Sequence, residues 1–376
     1  MTGFAGNGRF GGGSLVMSGG NQIKYRASVG YQQSDKYTRD YADSRLDVTS
    51  AFSEPNTSLR SARANFIAFY AFNRDFSVAL SAGLNRLLSE VYPLGLLRNF
   101  SLDGLFGYTK VDFTGGPFKL RFFWNKANFV AGPQFEPVGQ RSLAMNLDTN
   151  VFDGELLFQK QLEIAGIHNL AFGISGRLKQ VKWTYLQKPA IDEVHAALFL
   201  QDDWRPIDPL SFIVSYRIDR HPLLGSGGTP GYAHSPRISS VVRPAENHAI
   251  RASFATAFRQ PTFLESYMDI RIPVAGVNGA SVHTQGNREL RPERLLSFEV
   301  GYRGEAPLWG LAWDVALYWN VVDDLIILSN VMPLQVSTSW DAASGSFLRG
   351  RSLFSNDPEV YTARGGEVGA TWNALK

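Results

Sequence analysis

Histidine, cysteine and paired carboxylates are the residues most able to hold metals or move protons, and this chain offers few in a usable pattern. It has six histidines, His168, His195, His221, His234, His248 and His283, and no cysteine. Without cysteine, neither a disulfide framework nor a thiolate metal site can form. The histidines are scattered, with no HExxH run or other ligand spacing, so no metal centre is predicted. His221 and His234 flank one long connection and are the pair placed to meet. Asp202–Asp203 and Asp323–Asp324 are adjacent carboxylates. Neighbours in a strand point to opposite faces, so neither pair makes an acid–base dyad. The opening MTGFAGNGRFGGGSLVMSGG is rich in glycine but lacks the GK[ST] of a phosphate loop and any nucleophile elbow. No catalytic residue or cofactor is predicted, and the chain does not read as an enzyme.

The elements that carry these residues are strands. In PLWGLAWDVALYWNVVDDL, residues 307–325, Trp309, Leu311, Trp313, Val315, Leu317 and Trp319 fall on odd positions. Small or polar residues, Asp314 among them, take the even ones. Strand side chains alternate between faces, so one face is aromatic and aliphatic and the other is not. The same alternation recurs at 23–31, 76–85, 210–219, 250–259 and 295–302. Only 19% of residues are charged, against about a quarter in soluble domains, and 13% are aromatic. No apolar run is long enough for a transmembrane helix. The net charge of +3 comes without a basic run, which argues against nucleic acid as a partner.

Short turns alternate with long polar stretches along the chain. The turns lie near 73–75, 115–117, 166–169, 206–209, 244–247 and 304–308. The long stretches lie near 32–60, 128–149, 180–192, 220–234, 260–293 and 329–358. Successive antiparallel strands end on opposite rims, so short turns gather on one rim and long loops on the other. That is the hairpin plan of an outer-membrane barrel. About fourteen strands are predicted over residues 22–376, in an all-β transmembrane antiparallel barrel. Residues 1–21 read as a Gly-rich linker or junction. Trp309, Trp313, Val315, Leu317 and Trp319 then face lipid, and Arg217, Arg251, Glu299 and Asp314 face a wet lumen. Asp202 stands on the apolar parity, and the strand at 150–163 alternates too poorly for its faces to be assigned.

The text RASFATAFRQPTFLESY (251–267) followed by GNRELRPERLLSFEVGYRGE (286–305) is the most specific in the chain. It resembles the barrel of TonB-dependent outer-membrane receptors, through Arg259, Pro261, Glu265, Gly286, Asn287, Leu290, Pro292 and Glu293. LFLQDDWRPIDPLSFIVSYRID (198–219), VVDDLIIL (321–328) and NDPEVYTARGGEVGATW (356–372) are similar to further hairpins of that family, in the same order. The likeness is specific from about residue 190 onward and rests on pattern before it.

The resemblance implies a receptor in the Gram-negative outer membrane, in contact with its lipid, with a barrel of about 22 strands of which this chain would supply a part. It implies uptake of a scarce small molecule or chelate, such as a ferric siderophore, cobalamin or a glycan, bound at extracellular loops. Gating would be energised by the TonB complex through a plug not present in this chain. The motif residues are expected to shape loops and turns rather than touch ligand. Tyr41, Trp340, Phe347 and Phe354, aromatics in long loops, are the candidate ligand contacts. A passive porin and a surface adhesin or scaffold stay open as alternatives.

Overall fold

Among the described residues, sixteen strands pair side by side in one antiparallel sheet in the computed structural model of the chain. The structure describes every residue except 8, 37–47, 51–56, 92–99, 138–142, 225–230, 275–276, 278, 336–338, 343 and 374–376. The two edge strands are Thr2–Ala5 and Tyr361–Trp372, and between them pairing follows chain order. The longest strand, Met145–Glu163, has 19 residues, well beyond the roughly 9–11 that cross a bilayer when tilted. That strand is therefore longer than a bilayer crossing requires.

Sixteen exceeds the fourteen expected, and the difference lies at the start. Residues Thr2–Ala5 and Gly11–Gly19 are strands, not linker. Glycine contributes nothing to alternation and weakens a strand, so the pattern there is thin. Leu15 and Met17 nevertheless sit opposite Val29 and Ala27, on the apolar face. A Cβ at Gly12 would come 2.4 Å from the Tyr31 carbonyl oxygen, so close backbone approach demands glycine there.

The register aligns one apolar face across the sheet. Val214, Ile238, Phe254, Phe298 and Trp319 lie opposite one another across five strands. Leu120, Leu156, Ile174, Leu198 and Ile218 form a second such row. These side chains are largely open: Leu317 is 61% exposed, Val300 55% and Ile238 52%. The other face carries ion pairs between neighbouring strands and along them. Arg121 meets Asp112 at 2.8 Å, Arg177 meets Asp153 at 2.7 Å, and Arg217 meets Asp219 at 2.8 Å.

One detail revises the sequence reading and two complete it. Trp309 lies in a short 3-10 turn, Pro307–Trp309, ahead of the strand Leu311–Asp323, so its place is set by the turn and not by strand alternation. Gly310 closes that turn with φ of 62°. Asp202, on the apolar face, is held by His168 Nδ1 at 2.7 Å beside the short turn, with Trp204 stacked on the imidazole. Strand Met145–Glu163 puts Phe152, Leu156 and Phe158 in the apolar rows, but Gly154 shares that face and Leu157 takes the other, which blurs its alternation.

The dry core lies on the loop rim, not in the wall. A short helix, Phe263–Tyr267, and a small sheet built from Asp269–Pro273, Ala280–Gln285, Ile326–Leu328 and Ser346–Asn356 stand there. Tyr185, Met268, Ile270, Leu290, Ile326 and Phe354 pack into one cluster. Val181, Leu186, Leu223 and Tyr267 form another. Long polar stretches of sequence thus carry enough apolar residues to fold as a cap.

Candidate functional site on the loop rim

The motif residues assemble where the strand His248–Arg259 ends. The Arg259 guanidinium donates to both oxygens of Glu293 at 2.6 Å and to Glu265 at 3.0 and 3.1 Å. Pro261 is buried and ends the ladder. Thr262 caps the helix, accepting from the Glu265 N–H at 3.2 Å, while the Glu265 carboxylate accepts from the Thr262 N–H at 2.7 Å. Glu293 also accepts from the Ile326 N–H at 2.8 Å. One arginine so ties a wall strand to its neighbour, to the helix and to the small sheet.

The second half of the motif seals the cap. Gly286 donates to the Met268 carbonyl at 2.7 Å, and a Cβ there would come 2.6 Å from the Tyr267 and Met268 nitrogens. Asn287 donates from its backbone to the Glu265 carbonyl and from its side chain to the Phe354 carbonyl. Leu290, 2% exposed, anchors the larger apolar cluster, and Pro292 leads into the strand Glu293–Ala306. In the small sheet, His283 Nε2 and the Asp269 carboxylate lie 2.5 Å apart, and Arg271 bridges Asp269 and Asp341. Burial holds the His283 imidazole below its ordinary value, against the pull of Asp269. Burial of Asp341 is outweighed by hydrogen bonds from Ser344 and Arg271, which hold its carboxyl low.

Beneath the cap, the polar face of the wall carries a cluster the sequence did not announce. Glu193 and His195, two apart on strand Ala190–Ile207, share that face. Ala196 pairs with Arg220, which brings His221 beside His195 with ring centroids 4.5 Å apart. His221 therefore meets His195, while His234 bonds the Tyr216 hydroxyl on the apolar face. Glu193 is 3% exposed and His221 is fully buried. The Glu193 carboxylate accepts from the Tyr267 hydroxyl at 3.2 Å, and His195 Nε2 and Lys179 Nζ approach it at 3.0 and 3.5 Å. Burial, then the Glu193 charge, push the Tyr267 phenol up. The local signal was the spacing of Glu193 and His195; the missing part was register with a strand 26 residues further on.

Of the predicted ligand contacts, Trp340 and Phe347 meet edge to face at 4.9 Å and stay largely exposed. Phe354 is buried in the larger cluster and serves packing. Tyr41 lies outside the described residues. Lower on the polar face, Arg251 reaches Asp314 at 2.7 Å and Glu299 at 3.4 Å. Its path crosses Gly301, where a Cβ would come 2.6 Å from the guanidinium. Trp313, Val315, Leu317 and Trp319 share the apolar face, Trp313 packing beside Tyr302 and His248.

The family model described as TonB dependent receptor-like, beta-barrel, matches residues 3–376. The chain belongs to that family. Part of this receptor barrel, 97 residues, is 39% identical to the vitamin B12 transporter BtuB of Vibrio vulnificus; the match spans 26% of the chain and 13% of that protein. The fold is similar to that of the ferric enterobactin receptor PfeA of Pseudomonas aeruginosa, with a TM-score of 0.70 at 12% identity, over 97% of the chain and 58% of the receptor. The hemophore receptor HasR of Serratia marcescens gives 0.68 at 15% identity, over 99% and 60%. The siderophore receptor PirA of Pseudomonas aeruginosa gives 0.66 at 16% identity, over 96% and 59%. The chain thus spans about 60% of the length of these structures.

Proposed function

We propose that this receptor barrel forms the wall and substrate-gathering cap of an outer-membrane importer in a Gram-negative cell. The observation that carries the reading is the two-sidedness of the sheet: an in-register apolar face, an ion-paired polar face, and a folded cap on one rim. Lipid covers the apolar face and water fills the space lined by the polar one. The cap faces outward and meets the substrate first. Exposed Trp340 and Phe347 offer an aromatic edge to a flat or chelated ligand. The substrate class is a scarce chelate or cofactor too large for diffusion through porins, with a ferric siderophore or a corrinoid as the leading candidates. Movement inward is energised by TonB acting through a plug domain.

The test is capture of labelled substrate by cells displaying the protein. A panel of ferric siderophores, haem and cyanocobalamin is offered at nanomolar concentration, with uptake measured with and without TonB. One member is expected to accumulate only when TonB is present. Trp340→Ala with Phe347→Ala should lower capture about tenfold, the scale of one or two lost aromatic contacts. Equal, TonB-independent entry of all members would replace this reading with a passive pore.

A further inference from the structure

The Glu193–His195–His221 cluster has the makings of a cation site. One donor atom from each residue lies within 4.8 Å of the others. Two imidazole nitrogens and one carboxylate oxygen are the donor set of zinc-like divalent ions, and not of calcium or magnesium, which take oxygen. A second observation points the same way. His221 is fully buried, its Nδ1 accepts from the Leu223 N–H at 3.1 Å, and its Nε2 has no hydrogen-bond partner among the described residues. A buried ring nitrogen without a partner is costly and calls for an explanation. Tyr267 holds the Glu193 carboxylate through its hydroxyl, as an outer partner holds a metal-ligating carboxylate.

We infer that Glu193, His195 and His221 bind one divalent transition-metal ion of the zinc class on the polar wall beneath the cap. Lys179 is the placeholder. Its ammonium sits 3.5 Å from Glu193 and also 5.8 Å from the centre of the Phe263 ring, so it has a second seat when the ion arrives. At His221, Nδ1 accepts from the Leu223 N–H and so carries no proton; as Nε2 takes the metal, the Nε2 proton moves to Nδ1, and His195 passes its Nε2 proton to Nδ1 or to solvent. At His221 that proton displaces the Leu223 N–H, so binding the ion releases the first turn after the strand Leu210–His221. The inference needs only the register of two wall strands and stands whether or not the importer reading holds.

The test uses the detergent-purified chain, carrying no histidine tag, with Zn2+ titrated against a competing fluorescent chelator. One strong site is expected. His195→Gln and His221→Gln should each weaken it roughly 100-fold or more, since losing even an outer partner costs 10- to 100-fold. His234→Gln, remote from the cluster, should leave it unchanged. Lys179→Met should tighten binding several-fold, because it removes the competing cation and keeps the aliphatic stem. That gain cannot come from misfolding. Zinc binding that is indifferent to His195→Gln and His221→Gln, or weakened by Lys179→Met, would overturn the assignment.

Discussion

Leu198 and Ala197 are adjacent in strand Ala190–Ile207 and point to opposite faces. Leu198 lies opposite Ile174 and Ile218, in an aliphatic row that offers a guanidinium no partner. It sits between Val194, 54% exposed on the same face, and Trp204 near the short turn. Ala197 lies opposite Ser175 and Asp219, on the ion-paired face. An arginine at position 198 should cost about 2–4 kcal/mol, the price of a cation on the lipid face near mid-membrane. At about 1.4 kcal/mol per decade, that is roughly a 30- to 700-fold fall in the folding equilibrium. An arginine at position 197 should cost close to nothing, since it enters the water-filled, ion-paired side of the sheet. The assay is urea unfolding from phospholipid vesicles, followed by tryptophan fluorescence. Leu198→Arg should lower the midpoint sharply and Ala197→Arg should leave it in place. Equal midpoints for the two variants would refute the assignment of faces on which the importer reading depends.

Arg259→Ala leaves the Glu293 and Glu265 carboxylates without their shared partner; because the guanidinium is well exposed, the loss should be about 1–2 kcal/mol. Hydrogen exchange should quicken across 262–287 and stay slow in the wall. Gly286→Ala forces a methyl against the backbone of Tyr267 and Met268, and should cost about 1–3 kcal/mol, read as faster proteolysis of the cap. His283, held low by burial, binds its proton less readily when folded than when unfolded, so the cap keeps full stability above about pH 6.5. Stability should fall as pH drops below that value and level off at the folded pKa. Exchange in strand Ala280–Gln285, corrected for intrinsic rate, should rise from pH 7 to 5, and His283→Gln should flatten the trend.

The wall was legible because period-2 alternation is a local signal that each strand carries whole. Leu317 and Asp314 take their opposite faces as the alternation requires. Where glycine thinned the alternation, over Thr2–Ala5 and Gly11–Gly19, two strands went uncounted. The cap was illegible for a different reason. Its core joins Tyr185, Met268, Leu290, Ile326 and Phe354 across three connections, and no periodicity marks residues that meet only in three dimensions. Phe354 looked like a free loop aromatic for that reason. The Glu193–His195–His221 cluster shows the same limit, since half its content is a cross-strand register. Asp202 is the converse case: its breach of the pattern was visible, but its partner His168 lay 34 residues away.

Arg251 begins on one strand, passes over a glycine on the next and ends on Asp314 in the third. Such a span fastens three neighbours with a single side chain. Sliding either outer strand by two places would keep every side chain on its proper face, so alternation alone cannot forbid it. The guanidinium would then find bulk in place of Gly301, or lose its carboxylate. During insertion, when hairpins are still choosing their offsets, this crossing works as a vernier that tells the correct alignment from its nearest impostor.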